Sequence, residues 1–237
     1  NKGTIKGTNG IKIASDGNID TLINSGLIET ITKTTILTGY RGVHIENTTM
    51  NNFINTGTIH VIDSELLGHS NNAANQPSGI LFYNNTKVAT FTNEGMVKAV
   101  TGIALIGSSV ETFTNKGTIE STGSSQVEGT GVLITNNSGS QFSTITNLKN
   151  EGIINSVANG ILIELGNEVK TIENTGTIEA GLDGINFFGV DAQGKTINIG
   201  DIVLKSNSTL KAGRNGINIV IEGDQTQINL NKIQVDT

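Results

Sequence analysis

One phrase of five residues, N-x-G-x-[IV], recurs along this chain and restricts its fold more than any other feature. It begins at Asn1, Asn24, Asn55, Asn93, Asn115, Asn150 and Asn174, and reads NTGTI at both Asn55 and Asn174. A second phrase, G-[IV]-x-[ILF], follows at Gly10, Gly42, Gly79, Gly102, Gly131, Gly160, Gly184 and Gly216. A third element, an apolar pair three residues apart, precedes the asparagine: Ile19/Leu22, Met50/Phe53, Val88/Phe91, Val110/Phe113, Ile145/Leu148 and Val169/Ile172. Its second member always stands two residues before the asparagine. The shortest repeats, from Asn1, Asn93 and Asn150, span 22 to 24 residues. Self-similarity at such a period marks a solenoid whose units bury their apolar faces only against one another.

Each unit holds three short apolar segments, and nothing repeats at the helical period of 3.6. Asparagine is as frequent as glycine, at 30 residues each, while proline occurs once. Strand-forming Ile, Val, Thr and Phe between turn residues favour an all-β chain. The expected fold is therefore a right-handed parallel β-helix of about eight coils, with three short strands per coil. At strand spacing, eight coils would stand about 38 Å tall. In the repeated phrase, Asn and Gly are expected to turn the chain through left-handed backbone angles. Stacked asparagines are expected to hydrogen-bond along the rod, and the closing Ile or Val to point inward. The degenerate eighth coil aligns IEAGLDGINF with LKAGRNGINI. That alignment sets Ser206 in the asparagine column and Ser208 in the glycine column. Phe53, Phe91 and Phe113 are expected to stack with offset faces.

The 237 residues carry a net charge of −6, with their 15 basic residues scattered. No basic stripe is present, which speaks against nucleic-acid binding. Without cysteine there are no disulfides or cysteine ligands. No apolar run reaches 18 residues, so this stretch is not expected to insert into a membrane. The chain begins within a repeat and reads as one β-helix fragment of something longer.

Insertions swell two registers only. Between the Asn phrase and the Gly phrase they fall at 29–41, 60–78 and 120–130; after the Gly phrase they fall at 135–149 and 186–205. In a solenoid, insertions at one register emerge on one edge, often the binding edge. The longest supplies a candidate contact loop with His60, Leu66, Leu67, His69 and Pro77. Its plainer reading is a tolerated surface loop.

Other motifs carry weaker expectations. GVDAQGKT (Gly189–Thr196) spells a phosphate-binding loop, but the alternating INIGDIVL after it reads as a strand where that chemistry needs a helix. DGNID (Asp16–Asp20) offers three oxygen positions of a calcium loop, but lacks the glycine and the distal glutamate. His44 is expected to point outward into solvent. The outward residues of its column read Lys12, His44, Leu81, Ala104, Leu133, Leu162, Asn186 and Asn218, which speaks against an enzyme cleft on that face. Asp183 and Asp201 offer a pair for glycosidase-type chemistry, but no cluster of carboxylates with Arg or Lys gathers on one face beside them. No catalytic, cofactor or metal residue is assigned.

The two phrases, repeated in a cysteine-free chain rich in Asn, Gly and Thr, resemble the passenger domains of Gram-negative autotransporters, of the Asn/Gly-repeat adhesin type. The resemblance covers Asn1 to about Ile221. It implies export through the outer membrane and display or release at the cell surface. The expected function is a non-enzymatic rod mediating adhesion, aggregation or receptor contact. Its partner would be a host-cell protein, a glycan or another copy of itself. The alternative is a carbohydrate-active β-helix, either a polysaccharide lyase or a tailspike-like hydrolase.

Overall fold

A computed structural model describes residues 1–32, 40–63, 76–123, 128–137, 141–189, 196–223 and 227–236. They contain strands and no helix. The first coil holds β1 (Thr4–Gly7) and β2 (Asn9–Asn24), and the second β3 (Leu27–Thr32) and β4 (Arg41–Asn55). The third holds β5 (Thr58–Asp63), β6 (Ser78–Tyr83) and β7 (Lys87–Asn93). The fourth holds β8 (Met96–Ala99), β9 (Thr101–Ile106) and β10 (Ser109–Asn115), and the fifth β11 (Thr118–Ser121), β12 (Val132–Thr135) and β13 (Thr144–Asn150). The sixth holds β14 (Ile153–Ser156), β15 (Ile161–Glu164) and β16 (Glu168–Asn174). The seventh holds β17 (Thr177–Ala180), β18 (Asp183–Gly189) and β19 (Thr196–Leu204), and the last β20 (Thr209–Ala212), β21 (Asn215–Ile221) and β22 (Gln227–Val235).

Every strand pairs in parallel with its counterpart one coil away. The first strands form one sheet, β1-β3-β5-β8-β11-β14-β17-β20. The second and third strands run β21-β18-β15-β12-β9-β6-β4 and β4-β7-β10-β13-β16-β19-β22. The long β4 passes through both columns and joins them into one sheet, and β2 pairs along it. The chain is a parallel β-helix, and its described residues form eight coils.

The repeat positions fill the interior in register. Ile28, Ile59, Val97, Ile119, Ile154 and Ile178 face inward from the first column, each fully buried. In the third column, Leu22, Phe53, Phe91, Phe113, Leu148, Ile172 and Ile202 stand directly opposite one another. Burying one such side chain contributes about 1.5–3 kcal/mol. The phenylalanines share that column but do not stack face to face. Phe53 meets Phe91 edge-on at 5.3 Å, and Phe91 lies 4.7 Å from Phe113 at a 45° tilt. Phe82, from the second column, meets Phe91 edge-on at 5.7 Å and so completes a four-ring cluster. Edge-on contact sets the positive rim of one ring against the negative face of the next.

The asparagine column is a continuous hydrogen-bonded ladder. Asn1 Nδ2 donates to Asn24 Oδ1 at 2.9 Å, and the same bond links Asn24 to Asn55, Asn55 to Asn93, Asn93 to Asn115, Asn115 to Asn150 and Asn150 to Asn174 at 2.7–2.8 Å. The expectation of left-handed angles is wrong. None of the positive-φ residues (Asn47, Asn84, Asn85, Gly107, Gly166, Gly223) belongs to the phrase. Its glycine is needed for space. A Cβ on Gly117 would lie 2.0 Å from the carbonyl oxygen of Gly95, and one on Gly152 would lie 2.1 Å from that of Gly117. Gly117→Ala should therefore destabilise the fold by about 1–3 kcal/mol, because a backbone atom must give way. Gly3→Ala, with nothing within 4 Å, should be nearly neutral. Equal losses in urea unfolding would remove this account of the column.

The ladder ends earlier than the alignment suggests. Asn174 pairs with Leu204, not Ser206, because Lys205–Ser208 adds a tight turn closed by the Ser208 amide donating to the Lys205 carbonyl. Thr177 pairs with Thr209, which leaves Ser208 beside Gly176 as expected.

Candidate functional site

The expected insertion bounds change, because core strands run on into them. β3 and β5 reach Thr32 and Asp63, pairing through Ile31 and Ile62. β13 occupies Thr144–Asn150, and β18 and β19 take both ends of 186–205. Leu66, Leu67 and His69 lie outside the described residues. His60 is no loop residue: it stands on β5 between Glu29 and Lys98. Burial and the Lys98 charge lower its pKa. Pro77 is buried, and its carbonyl accepts from the Thr101 amide at 3.0 Å.

Three of the five insertions still leave the rod at one corner, between the first and second columns. Buried polar contacts hold the feet of two of them, 60–78 and 120–130. Thr101 Oγ1 lies 3.1 Å from both Gln76 Oε1 and the Glu128 carbonyl oxygen. Ser121 Oγ donates to the Gly129 carbonyl at 2.5 Å, and the Gly123 amide donates to the Val100 carbonyl at 3.1 Å. Gln76, Thr101, Glu128 and Thr130 are all buried. Such contacts give the insertions fixed points of departure, since a broken one strands a buried polar group.

The two outer faces flanking this corner differ. The first column carries charges that alternate along the rod, with Lys6–Glu29 at 2.7 Å and Lys98–Glu120 at 2.6 Å. Such exposed pairs add little stability. The outer side of the second column is buried in its middle coils. Leu81, Ala104, Ile106, Leu133 and Leu162 form a second apolar cluster, with Tyr83 and Phe188 packed against it. Those coils present apolar residues on both strand faces, and the strip is shielded from water.

His44 also departs from expectation, lying half-buried at the N-terminal end of this strip. Its ring meets Tyr83 edge-on at 6.1 Å, and its Nε2 is 3.8 Å from Glu46 Oε2. Burial, with the charges of Arg41 and Lys12, pushes its pKa down to about 4. The folded protein thus holds His44 neutral while the unfolded chain protonates it near its ordinary 6.5. Its contribution to stability is complete above pH 6.5, falls as pH drops through 6.5 towards 4, and is lost below that, a swing of about 2–3 kcal/mol. His44→Gln should remove this part of the pH profile. Parallel stability–pH curves for the two proteins would overturn the assignment.

The candidate chemistry at Asp183 and Asp201 does not assemble. Asp201 lies on the third column beside Asn231 and Lys232. Asp183 lies on the second, fully buried, and takes bonds from Arg214, Asn215 and Asn218. Burial alone would raise its pKa; the bonds from Arg214 and Asn215 outweigh this and hold it below the usual range. Glu164 shifts the other way, raised by burial against a bond from Thr135. It pairs with Phe188, five strand positions from Asp183, or about 16 Å. Glycosidase carboxylates stand roughly 5–9.5 Å apart.

Two motifs resolve as strand. Thr196, the last residue of GVDAQGKT, opens β19, so no helix follows to hold a phosphate; residues 190–195 lie outside the described set. DGNID lies within β2, which spreads Asp16 to Asp20 over about 13 Å instead of around a point. Asp20 accepts from Asn51 and Thr21. Among the described residues no three His, Asp or Glu are grouped for a metal, and no helix is long and apolar enough to cross a membrane. Comparisons with protein-family models, curated proteins and solved structures return no match.

Proposed function

We propose that this chain is a non-enzymatic rod, displayed on or released from the surface of a Gram-negative bacterium, that makes contacts through side loops with a host protein, a glycan or another copy of itself. The observation that supports this reading is the corner between the first two columns. Three insertions leave a uniform scaffold there, and buried polar contacts fix the feet of two of them, 60–78 and 120–130. A solenoid supplies reach and stiffness, and its insertions supply recognition.

The test is to replace residues 64–75 with a minimal turn, leaving β5 and β6 whole. The variant should keep the circular dichroism and melting temperature of the parent and lose most of its binding to cultured host cells. Undiminished binding would move the contact to a flat face or to the second insertion register. Release of product from a polysaccharide panel would favour a carbohydrate-active rod instead.

A further inference from the structure

A second surface departs from the repeat at two positions in one place. The residue just before each Gly phrase reads Asn9, Arg41, Ser78, Thr101, Thr130, Asn159, Asp183 and Asn215. Only Asp183 is a carboxylate, so the coil does not require one there. The outward residue of the same strands is Leu81, Ala104, Leu133 and Leu162 in the middle coils, and changes to Asn186 and Asn218 in the last two. Both changes meet on β18 and β21.

Asp183 gathers its neighbours. Its Oδ1 accepts from Arg214 Nε at 3.0 Å, from the Asn215 amide at 3.2 Å and from Asn215 Nδ2 at 2.9 Å. Its Oδ2 accepts from Arg214 Nη2 and from Asn218 Nδ2. Asn218 Nδ2 also reaches Asn186 Oδ1 at 3.1 Å, and Asn186 donates on to Asn159. The side chains so held line a concavity of about 290 Å³ together with Phe188 and Val220. A buried carboxylate that takes five donors locks the rotamers of the residues around it. What remains on offer is specific. The Oδ1 atoms of Asn215 and Asn218 accept no bond among the described residues. Arg214 keeps its Nη1 donors and is about half exposed. Phe188 supplies an aromatic surface.

We infer that this concavity is a binding subsite for a neutral sugar unit of a glycan. Sugars present hydroxyl groups, which donate to amide oxygens and accept from guanidinium N–H, around a C–H face that packs on an aromatic ring. The volume lies at the small end of ligand sites and suits one ring. Asp183 already balances the Arg214 charge, so the site carries no net attraction for an anionic ligand. This deepens the surface-contact reading by naming a ligand class, and it uses none of the residues 64–75.

The test is an amide-detected NMR titration of the whole chain with the methyl glycosides of glucose, galactose and N-acetylglucosamine, and with N-acetylneuraminic acid as the charged comparison. At least one neutral sugar should bind saturably, with a Kd on the order of millimolar. The Asn215 and Asn218 side-chain resonances should shift most. Phe188→Ala and Arg214→Lys should each weaken binding about tenfold or more while the melting temperature holds. Should either variant unfold, Asn215→Ser, at an exposed position, takes its place. The inference falls if no neutral sugar binds, if only the acid binds, if the shifts lie elsewhere, or if folded variants bind as the parent does. Failure here with cell binding still lost on shortening 64–75 would overturn the subsite alone. Sugar binding that survives while that shortening changes nothing would overturn the loop contact alone.

Discussion

Phe91→Ala should cost about 3–5 kcal/mol of unfolding free energy, the range for a fully buried ring. Phe91 is fully buried, with Phe53 at 5.3 Å, Phe82 at 5.7 Å and Phe113 at 4.7 Å. Removing it leaves a void walled by three rings, each fixed by its own strand and by coils stacked on both sides. Such walls collapse little, so the cavity persists and its cost adds to the lost transfer energy. Phe142 makes the contrast. It is 45% exposed, and its ring covers the backbone of Gly166 at the second insertion register. Phe142→Ala should cost less than about 1 kcal/mol, in line with most surface changes. Denaturant unfolding of both proteins decides the matter. Similar losses would mean that the third-column register is misassigned.

That register was legible because three independent apolar columns repeat at fixed offsets from one asparagine, and a parallel stack must align equivalent positions. What the repeat could not show lies across coils or outside them. The edge-on ring geometry depends on Phe82, which belongs to a different column and carries no mark of its partner. The role of the repeated glycine was misread because a turn residue and a close-approach residue look alike in sequence. Only the coil below reveals a carbonyl 2.0 Å from the missing Cβ. The burial of the outer strip at Leu81 and Leu133 was not legible, because strand alternation gives two faces but does not say whether the second is covered. The Asp183 cluster did leave a signal, in the change from Leu162 to Asn186 and Asn218 down one column. Its hydrogen bonds, however, span about thirty residues and have no local trace.

Asn115→Ala should produce a loss as large, about 3–5 kcal/mol, without removing any apolar surface. Asn115 Nδ2 donates to Asn150 Oδ1 at 2.8 Å, and it lies 3.3 Å from the Gly117 carbonyl and 3.1 Å from the Ile153 carbonyl. Its own Oδ1 accepts from Asn93 at 2.8 Å. All three asparagines are fully buried. The alanine therefore strands a donor on Asn93 and an acceptor on Asn150 where water does not reach, and an unsatisfied buried group costs about 1–3 kcal/mol. It also cuts a chain of amides that polarise one another in the same direction. Asn1→Ala removes the same side chain from the end of the ladder. There only one ladder bond is lost, and the site is partly open to water, so about 1 kcal/mol or less should go. Asn115→Asp separates charge and donor from shape. It keeps the volume and the acceptor for Asn93, but sets carboxylate oxygens against the Asn150 amide oxygen and two carbonyls. Its loss should exceed that of the alanine at pH 7 and shrink as acid protonates the group. A mid-ladder alanine no costlier than the terminal one would show that the asparagines merely turn the corner and that the ladder adds nothing.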